Sequence, residues 1–188
     1  MPMKGFKNVN VYVEDRGIVK TSLAIRDGKI YEISDNCSID EVIELDSDAV
    51  VLPGFIDEHI HGSATADAMD GTTDALKIIA ESIACEGTVG FMATTMTQSN
   101  KNISNAMRAV KDYKALNSSN GAELLGIHLE GPYINKSKAG AQPAEYIVNP
   151  SIAEFDDYNA QSGNNIKIVT LAPEVEGSLD FISHLCKK

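Results

Sequence analysis

The chain has 188 residues, enough for one solid core or for a small domain joined to part of a larger one. Its 27 acidic and 16 basic residues give a net charge of −11, and because this charge repels nucleic acid and anionic membrane surfaces, neither is expected as a partner. The three cysteines, Cys37, Cys85 and Cys186, fit free thiols, and no segment suits a signal peptide or a membrane span, so a cytoplasmic protein is expected.

Residues 1–50 have the pattern of a small antiparallel β unit. Apolar residues alternate in residues 8–13 and 23–26, which is the period of a half-buried strand. Asp27-Gly28 then precedes a third alternating run at residues 29–33, and this arrangement is typical of a β-hairpin turn. A unit of about 50 residues is marginal as an independent core. We therefore expect it to need a partner segment from elsewhere.

The apolar run at residues 50–57 is followed by His59-Ile60-His61. The run predicts a buried strand of a parallel sheet, and such sheets carry their chemistry at the C-terminal ends of the strands. Side chains at i and i+2 of a strand share a face, with Cα atoms about 7 Å apart. His59 and His61 could therefore hold one metal ion. For an arbitrary H-x-H, two ordinary histidines at a strand exit would be the better interpretation.

From residue 50 onward the pattern alternates between strand and helix, in four β-α units of which the run at 50–57 is the first strand. The first two predicted helices carry apolar stripes: Leu76, Ile79, Ala80, Ile83 and Ala84, ended by Gly87, and then Ile103, Ala106, Met107 and Val110. The strands that follow the first are residues 88–95, 124–129 and 166–171. One later helix begins at Ser151, with a capping box to Glu154, and the last begins near Ser178 and runs to the chain end with His184 exposed. Such units fit a parallel sheet covered by helices. It is either a small open sheet or the front half of an eight-unit barrel, which needs about 250 residues.

Glu130 supplies the second chemical signal. It follows the strand at 124–129 and precedes Gly131-Pro132, a strand stop. His128 and Glu130 share a face by the period of two. For a lone glutamate, a solvated loop charge would be favoured, but on the same rim as His59 and His61 this carboxylate is a candidate third ligand. Mixed imidazole and carboxylate ligands suit zinc or iron.

The chain resembles the N-terminal half of the N-acetylglucosamine-6-phosphate deacetylases, members of the amidohydrolase superfamily. The resemblance rests on P-G-F-I-D at 53–57 leading into H-I-H-G at 59–62, and on T-T-M-T at 94–97. The longest match is G-I-H-L-E-G-P-Y at 126–133, followed by K-A-G-A-Q-P at 138–143. The H-x-H element alone indicates only the superfamily, whereas H-L-E-G-P with the later G-A-Q-P is much more specific.

The resemblance implies an α/β fold, with residues 51–188 as the first four β-α units of a (β/α)8 TIM-like barrel and residues 1–50 as part of a small β-sandwich. It implies Glu130, His59 and His61 as metal ligands and Ala141 and Gln142 as substrate contacts, with one or two divalent ions, zinc or iron. The implied reaction hydrolyses N-acetylglucosamine 6-phosphate to glucosamine 6-phosphate and acetate. Two further histidine ligands and the acid–base aspartate are expected beyond residue 188.

These implications lead to further expectations for the chain itself. It should be inactive alone, and it should either self-associate, as a dimer, or be a poorly stable monomer. Its loop at residues 136–146 should cover the site and be mobile. Another amidohydrolase, acting on a cyclic amide or an N-acyl amino acid, is the alternative within enzymes. The lack of a lysine at the end of the fourth strand, where Lys167 lies near the start, and the G-A-Q-P loop argue against it. A non-catalytic sugar- or metal-binding module is the alternative of another class.

Overall fold

A computed structural model describes residues 2–116 and 120–187. The chain folds as two compact units, the first ending at Pro53 and the second beginning at Gly54. No helix among the described residues is both long enough and apolar enough to cross a membrane. The three cysteines form no disulfide.

The first unit is a mixed sheet of five strands. They are β1 (Lys4–Val13), β2 (Gly17–Arg26), β3 (Lys29–Ile33), β4 (Glu41–Val42) and β5 (Val50–Val51). Strands β1, β2 and β3 are antiparallel, while β4 and β5 both pair in parallel with β1. The predicted hairpin is confirmed: Asp27 and Gly28 have φ of 51° and 73°, the left-handed geometry of a tight two-residue turn. Val11, Leu23 and Ala24 are its buried apolar residues.

The prediction of one buried strand over residues 50–57 is wrong. Val50–Val51 belongs to the sheet of the first unit, and a separate strand, β6 (Phe55–Ile60), begins the sheet of the second. Pro53 lacks the N–H that a continuous strand would need. Strand β6 is also exposed rather than buried, with Phe55 at 63% and Ile56 at 61%. It lies at the edge of its sheet and is hydrogen-bonded to one neighbour.

The second unit alternates strands with helices. After β6 come β7 (Gly62–Ser63), β8 (Ala66–Asp67), α1 (Thr73–Ala84), β9 (Thr88–Thr94), α2 (Asn100–Ala115), β10 (Glu123–Glu130), α3 (Ile152–Gln161), β11 (Ile166–Thr170) and α4 (Ser178–Leu185). Strands β6, β9, β10 and β11 form one parallel sheet in that order. Each strand lies beside the previous one of the sheet, without reversal, which is how a barrel is wound. Their C-terminal ends therefore share one rim.

Helices α1 and α2 bury the predicted stripes, with one exception. Leu76, Ile79, Ala80 and Ile83 are buried, as are Ile103, Ala106, Met107 and Val110. Ala84 is exposed, because it is the last residue of α1. The side chains of Thr72 and Ser99 cap the two helices by accepting hydrogen bonds from backbone N–H groups three residues on.

The last predicted helix ends at Leu185, and Lys188 lies outside the described residues. His184 was expected to be an exposed helix residue, and this is wrong. Its Nε2 lies 3.0 Å from Asp156 Oδ1 on α3, and the side chain is about three-quarters covered, at 26% exposure. The contact joins α4 to α3.

Tyr133 connects the strand exit of β10 to two helices. Its fully buried hydroxyl donates to Glu154 Oε2 at 3.0 Å, and Glu154 Oε1 accepts from Asn100 Nδ2 at 3.3 Å. The predicted cap at α3 is also present, since Ser151 Oγ accepts from the Glu154 N–H. Burial raises the pKa of the Tyr133 hydroxyl, and the Glu154 carboxylate raises it further. The folded chain therefore holds this proton more tightly than the unfolded chain.

This shift predicts a pH-dependent stability. The stabilisation is complete below the ordinary tyrosine pKa of about 10 and is lost as the pH rises above it. We expect Tyr133→Phe to lower the free energy of unfolding by about 1–2 kcal/mol at pH 8, since Glu154 loses a hydrogen-bond donor. Between pH 8 and pH 11 the variant should lose less of this free energy than the parent does. Some loss remains because burial also raises the pKa of Tyr113 and Tyr158. Urea unfolding at both pH values measures this.

Tyr12→Phe is the control, because Tyr12 is 44% exposed and its hydroxyl removal should change stability at pH 8 by less than about 0.5 kcal/mol. An alkaline loss in Tyr133→Phe as large as in the parent would contradict the assignment.

Candidate metal centre

Two strands deliver three chemically active side chains to the C-terminal rim of the parallel sheet. His59 lies in β6, His61 directly follows that strand, and Glu130 is the last residue of β10. Gly131, in a left-handed conformation with φ of 71°, then turns the chain away from the sheet. Among the described residues, these three form a group whose ligand atoms all lie within 4.8 Å of one another.

The distances within the group suit one metal ion. His59 Nε2 and His61 Nε2 are 3.4 Å apart, and Glu130 Oε2 lies 3.3 Å from the first and 3.1 Å from the second. Two ligand atoms that each lie about 2.1 Å from one ion are separated by roughly 3.0 Å if the ligand–metal–ligand angle is a right angle and by roughly 3.4 Å if it is tetrahedral. The observed separations fall between these values, and His₂-carboxylate sets hold both zinc and iron.

The hydrogen bonding of the group also fits a cation. Glu130 Oε2 is buried and has no hydrogen-bond partner among the described residues. A buried carboxylate oxygen without a hydrogen-bond donor is costly, and this one faces the two imidazole Nε2 atoms at 3.1 and 3.3 Å. His61 Nδ1 lies 3.2 Å from the Thr94 carbonyl oxygen, and because a carbonyl can only accept, this nitrogen carries the proton. The Nε2 lone pair of His61 is then directed at the space beside Glu130, as in metal-bound histidines.

His128 lies against the group, although the sequence pattern marked it only as sharing a face with Glu130. Its ring centroid is 4.9 Å from that of His59, with the two planes at 77°. Thr94 on β9 is a second neighbour that the pattern did not identify, since it holds His61 through its backbone. Neither contact could be read from local spacing, because each joins residues more than 30 positions apart.

The predicted substrate residues lie in the segment after β10, which contains two short 3₁₀ helices at Lys136–Lys138 and Ala144–Tyr146. Ala141 is exposed. Gln142 Oε1 accepts a hydrogen bond from the Thr97 N–H at 2.7 Å, and its Nε2 lies 3.5 Å from Met96 Sδ. Gln142 is thus joined to the loop after β9, while its predicted contact with a sugar stays a prediction.

No protein-family model matches the chain. The chain is 41% identical over 184 residues to an N-acetylglucosamine-6-phosphate deacetylase of Bacillus subtilis, covering 95% of this chain and 46% of that protein. It is 42% identical over 162 residues to one of Lysinibacillus sphaericus, covering 86% of this chain and 42% of the relative. The chain therefore spans slightly less than half the length of these curated relatives, and the match is to their N-terminal part.

A solved structure gives the same result. The crystal structure of an N-acetylglucosamine-6-phosphate deacetylase from Thermotoga maritima matches 97% of this chain with a TM-score of 0.80 and 32% identity, over 46% of its own length. The TM-score over nearly the whole chain confirms the predicted α/β fold. The chain corresponds to about half of that protein.

Proposed function

We propose that this chain, which is homologous to the N-terminal half of the N-acetylglucosamine-6-phosphate deacetylases, forms the metal-binding half of such an enzyme. The reaction is hydrolysis of the acetamide of N-acetylglucosamine 6-phosphate, which yields glucosamine 6-phosphate and acetate. The observation that carries the proposal is the convergence of His59, His61 and Glu130 at one rim of the sheet. Residues 54–188 are the first half of the barrel in this proposal, and the preceding unit is part of the β-sandwich.

His59 Nε2, His61 Nε2 and Glu130 Oε2 would hold the ion, which we propose to be zinc or iron. With two neutral imidazoles and one carboxylate as ligands, a site that holds a doubly charged cation has a net charge of about +1. When bound, a divalent cation supplies Lewis-acid chemistry, polarising the amide carbonyl and lowering the pKa of water. Glu130 contributes a fixed, partly buried negative charge, and its side chain is only 20% exposed. An aspartate that moves the proton to the leaving amine is expected on a later strand, as the resemblance implies.

Ala141 and Gln142 are proposed as contacts to the sugar. The segment that carries them follows the C-terminal end of β10, where binding loops of barrels lie. The hydrogen bond from the Thr97 N–H to Gln142 Oε1 supports this placement, because it ties the segment to the loop that follows β9 at the same rim.

Enzyme assays test the proposed function. We expect the chain alone to show no turnover of N-acetylglucosamine 6-phosphate in the presence of zinc or iron(II). A chimera that continues after Lys188 with the C-terminal part of the Bacillus subtilis relative should be active. Glu130→Gln in the chimera should lower kcat/KM by more than about 100-fold, the loss typical of removing a key electrostatic group.

The same assay separates the alternatives. Faster turnover of a cyclic amide or an N-acyl amino acid by the chimera would favour another amidohydrolase. Turnover by the chain alone would show that the acid–base group lies within it. A chimera that is folded and inactive on every substrate would contradict the proposal.

We also propose a cytoplasmic location and a homo-oligomer, with no nucleic acid or membrane as a partner. Three free cysteines suit a reducing compartment, and the net charge of −11 disfavours polyanions. Exposed apolar residues on the edge strand and its neighbour, Phe55, Ile56 and Val89, favour self-association.

Light scattering should therefore give at least a dimer mass at micromolar concentration. Ile56→Lys should shift the mass toward the monomer, because a charge on an edge strand opposes pairing. Ile18→Lys, at a residue 60% exposed in the first unit, is the control that should leave the mass unchanged. A parent chain that is monomeric at all concentrations would refute the proposed oligomer.

A further inference from the structure

Strand β6 carries a bulge at the metal-binding histidine. Asp57 pairs with Phe91 of β9, and the next paired residue, Ile60, is opposite Ala93. Two residues, Glu58 and His59, therefore occupy the space opposite one residue of β9. One extra residue on one strand is the definition of a β-bulge, a feature that re-aims side chains next to active sites.

Three side chains replace the interrupted ladder around the bulge. The Glu58 carbonyl oxygen lies 2.9 Å from His128 Nδ1. The His59 N–H donates to Asp57 Oδ1 at 3.0 Å, and the Ile60 N–H donates to Thr94 Oγ1 at 3.1 Å. Because a carbonyl oxygen only accepts, His128 Nδ1 must be the donor in the first of these bonds.

His128 makes the longest-range contact of the three. It lies on β10, and β9 separates this strand from β6 in the sheet, so its ring reaches across one strand to the bulge. Its other nitrogen, Nε2, lies 2.7 Å from Thr170 Oγ1 on β11. The residue is only 6% exposed. A ring held at both nitrogens and buried on a rigid sheet has one orientation, and this ring packs edge-on against His59.

We propose that His128 is a positioning residue for the metal centre. Its Nδ1–H fixes the carbonyl of Glu58, the residue before His59, and thereby holds the bulge that directs His59 Nε2 toward His61 and Glu130. This role rests on the proposed metal centre and adds to it a residue that touches neither metal nor substrate.

Two polar substitutions separate the two hydrogen bonds of the ring. The amide nitrogen of asparagine occupies nearly the position of histidine Nδ1, so His128→Asn keeps the donor to Glu58. The amide of glutamine reaches the position of Nε2, so His128→Gln keeps the contact with Thr170 and loses the donor to Glu58. Thr170→Val removes only the partner of Nε2 and is the matched control, while His128→Leu removes both bonds.

The experiment measures zinc affinity of the full chain by competition with a chromophoric chelator, together with the visible absorption spectrum of the Co²⁺-loaded chain. We expect His128→Gln and His128→Leu to weaken zinc binding by at least about tenfold, the usual cost of losing an outer-shell partner, and to change the Co²⁺ spectrum. His128→Asn and Thr170→Val should stay within about threefold of the parent and keep its spectrum. A purely structural role would lower the melting temperature and leave the spectrum of the folded, loaded chain unchanged.

The outcomes distinguish this inference from the proposed function. Zinc binding that is lost in His59→Ala but unchanged in His128→Gln would overturn the role of His128 and leave the metal centre intact. If the parent chain binds zinc no better than His59→Ala, the metal centre itself is wrong. If His128→Leu does not fold, the comparison of His128→Asn with His128→Gln decides, and equal affinities for those two variants overturn the role.

Discussion

Replacing Glu130 with glutamine is expected to weaken zinc binding by more than about 100-fold, since even outer-shell losses at metal sites cost 10–100-fold. The substitution keeps the shape of the side chain and removes the charge of the only carboxylate in the group. Isothermal titration of the chain with zinc measures the affinity. Glu123→Gln is the matched control, because Glu123 begins the strand that Glu130 ends and is exposed. It should bind zinc as the parent does.

The effect of Glu130→Gln on stability should depend on metal. Without zinc, the variant should lie within about 1 kcal/mol of the parent, because it removes a buried carboxylate charge and, with that charge, the contacts of 3.1 and 3.3 Å to the two imidazoles. Zinc at 100 times its Kd should stabilise the parent by about 2.7 kcal/mol and the variant hardly at all. A metal-free variant that is much less stable than the parent would instead make Glu130 a structural residue.

Gly131→Ala should be the most destabilising single change at this rim. Gly131 has φ of 71°, and a Cβ atom added there would overlap the hydroxyl of Thr97, a fully buried residue. The left-handed conformation costs an alanine about 1–2 kcal/mol, and the overlap adds a cost of the same order. We therefore expect a loss of about 2–4 kcal/mol in the free energy of unfolding, measured with urea. Zinc affinity should fall as well, because Gly131 follows Glu130.

Gly140→Ala isolates the backbone contribution. Gly140 has φ of 60°, but a Cβ there would meet nothing within 4 Å, so its loss should be limited to about 1–2 kcal/mol. In a Thr97→Ala background the loss at Gly131 should shrink, since the two residues are in contact. Equal losses for Gly131→Ala and Gly140→Ala would show that the close approach to Thr97 has no energetic consequence.

The elements of the second unit could be predicted because their patterns are local. The stripe of α2 and the cap at Ser151 each lie within a few turns of chain, and both are present. Strand parity also placed His59 and His61 on one face, and the end of β10 placed Glu130 on the same rim as these histidines. The shared rim follows from parallel strands alone, so proximity of the three needed no long-range information.

What the sequence could not predict depends on distant partners. The apolar run at 50–57 looks continuous, yet Val50 pairs with Asn10 and Ile56 with Gly90, and only the partners reveal two strands. The burial of β6 was overestimated because hydrophobicity does not show whether a strand has one neighbour or two. The bulge at Glu58 and His59 is likewise invisible in the sequence, since His128, which holds it, lies 70 residues away.

Anomalous diffraction from crystals of this chain soaked in millimolar zinc tests the central claim most directly. One strong zinc peak is expected at about 2.0–2.2 Å from His59 Nε2, His61 Nε2 and Glu130 Oε2 together, and it should vanish in crystals of Glu130→Gln. Zinc bound only elsewhere on the chain, with no peak among these three atoms, would contradict the account.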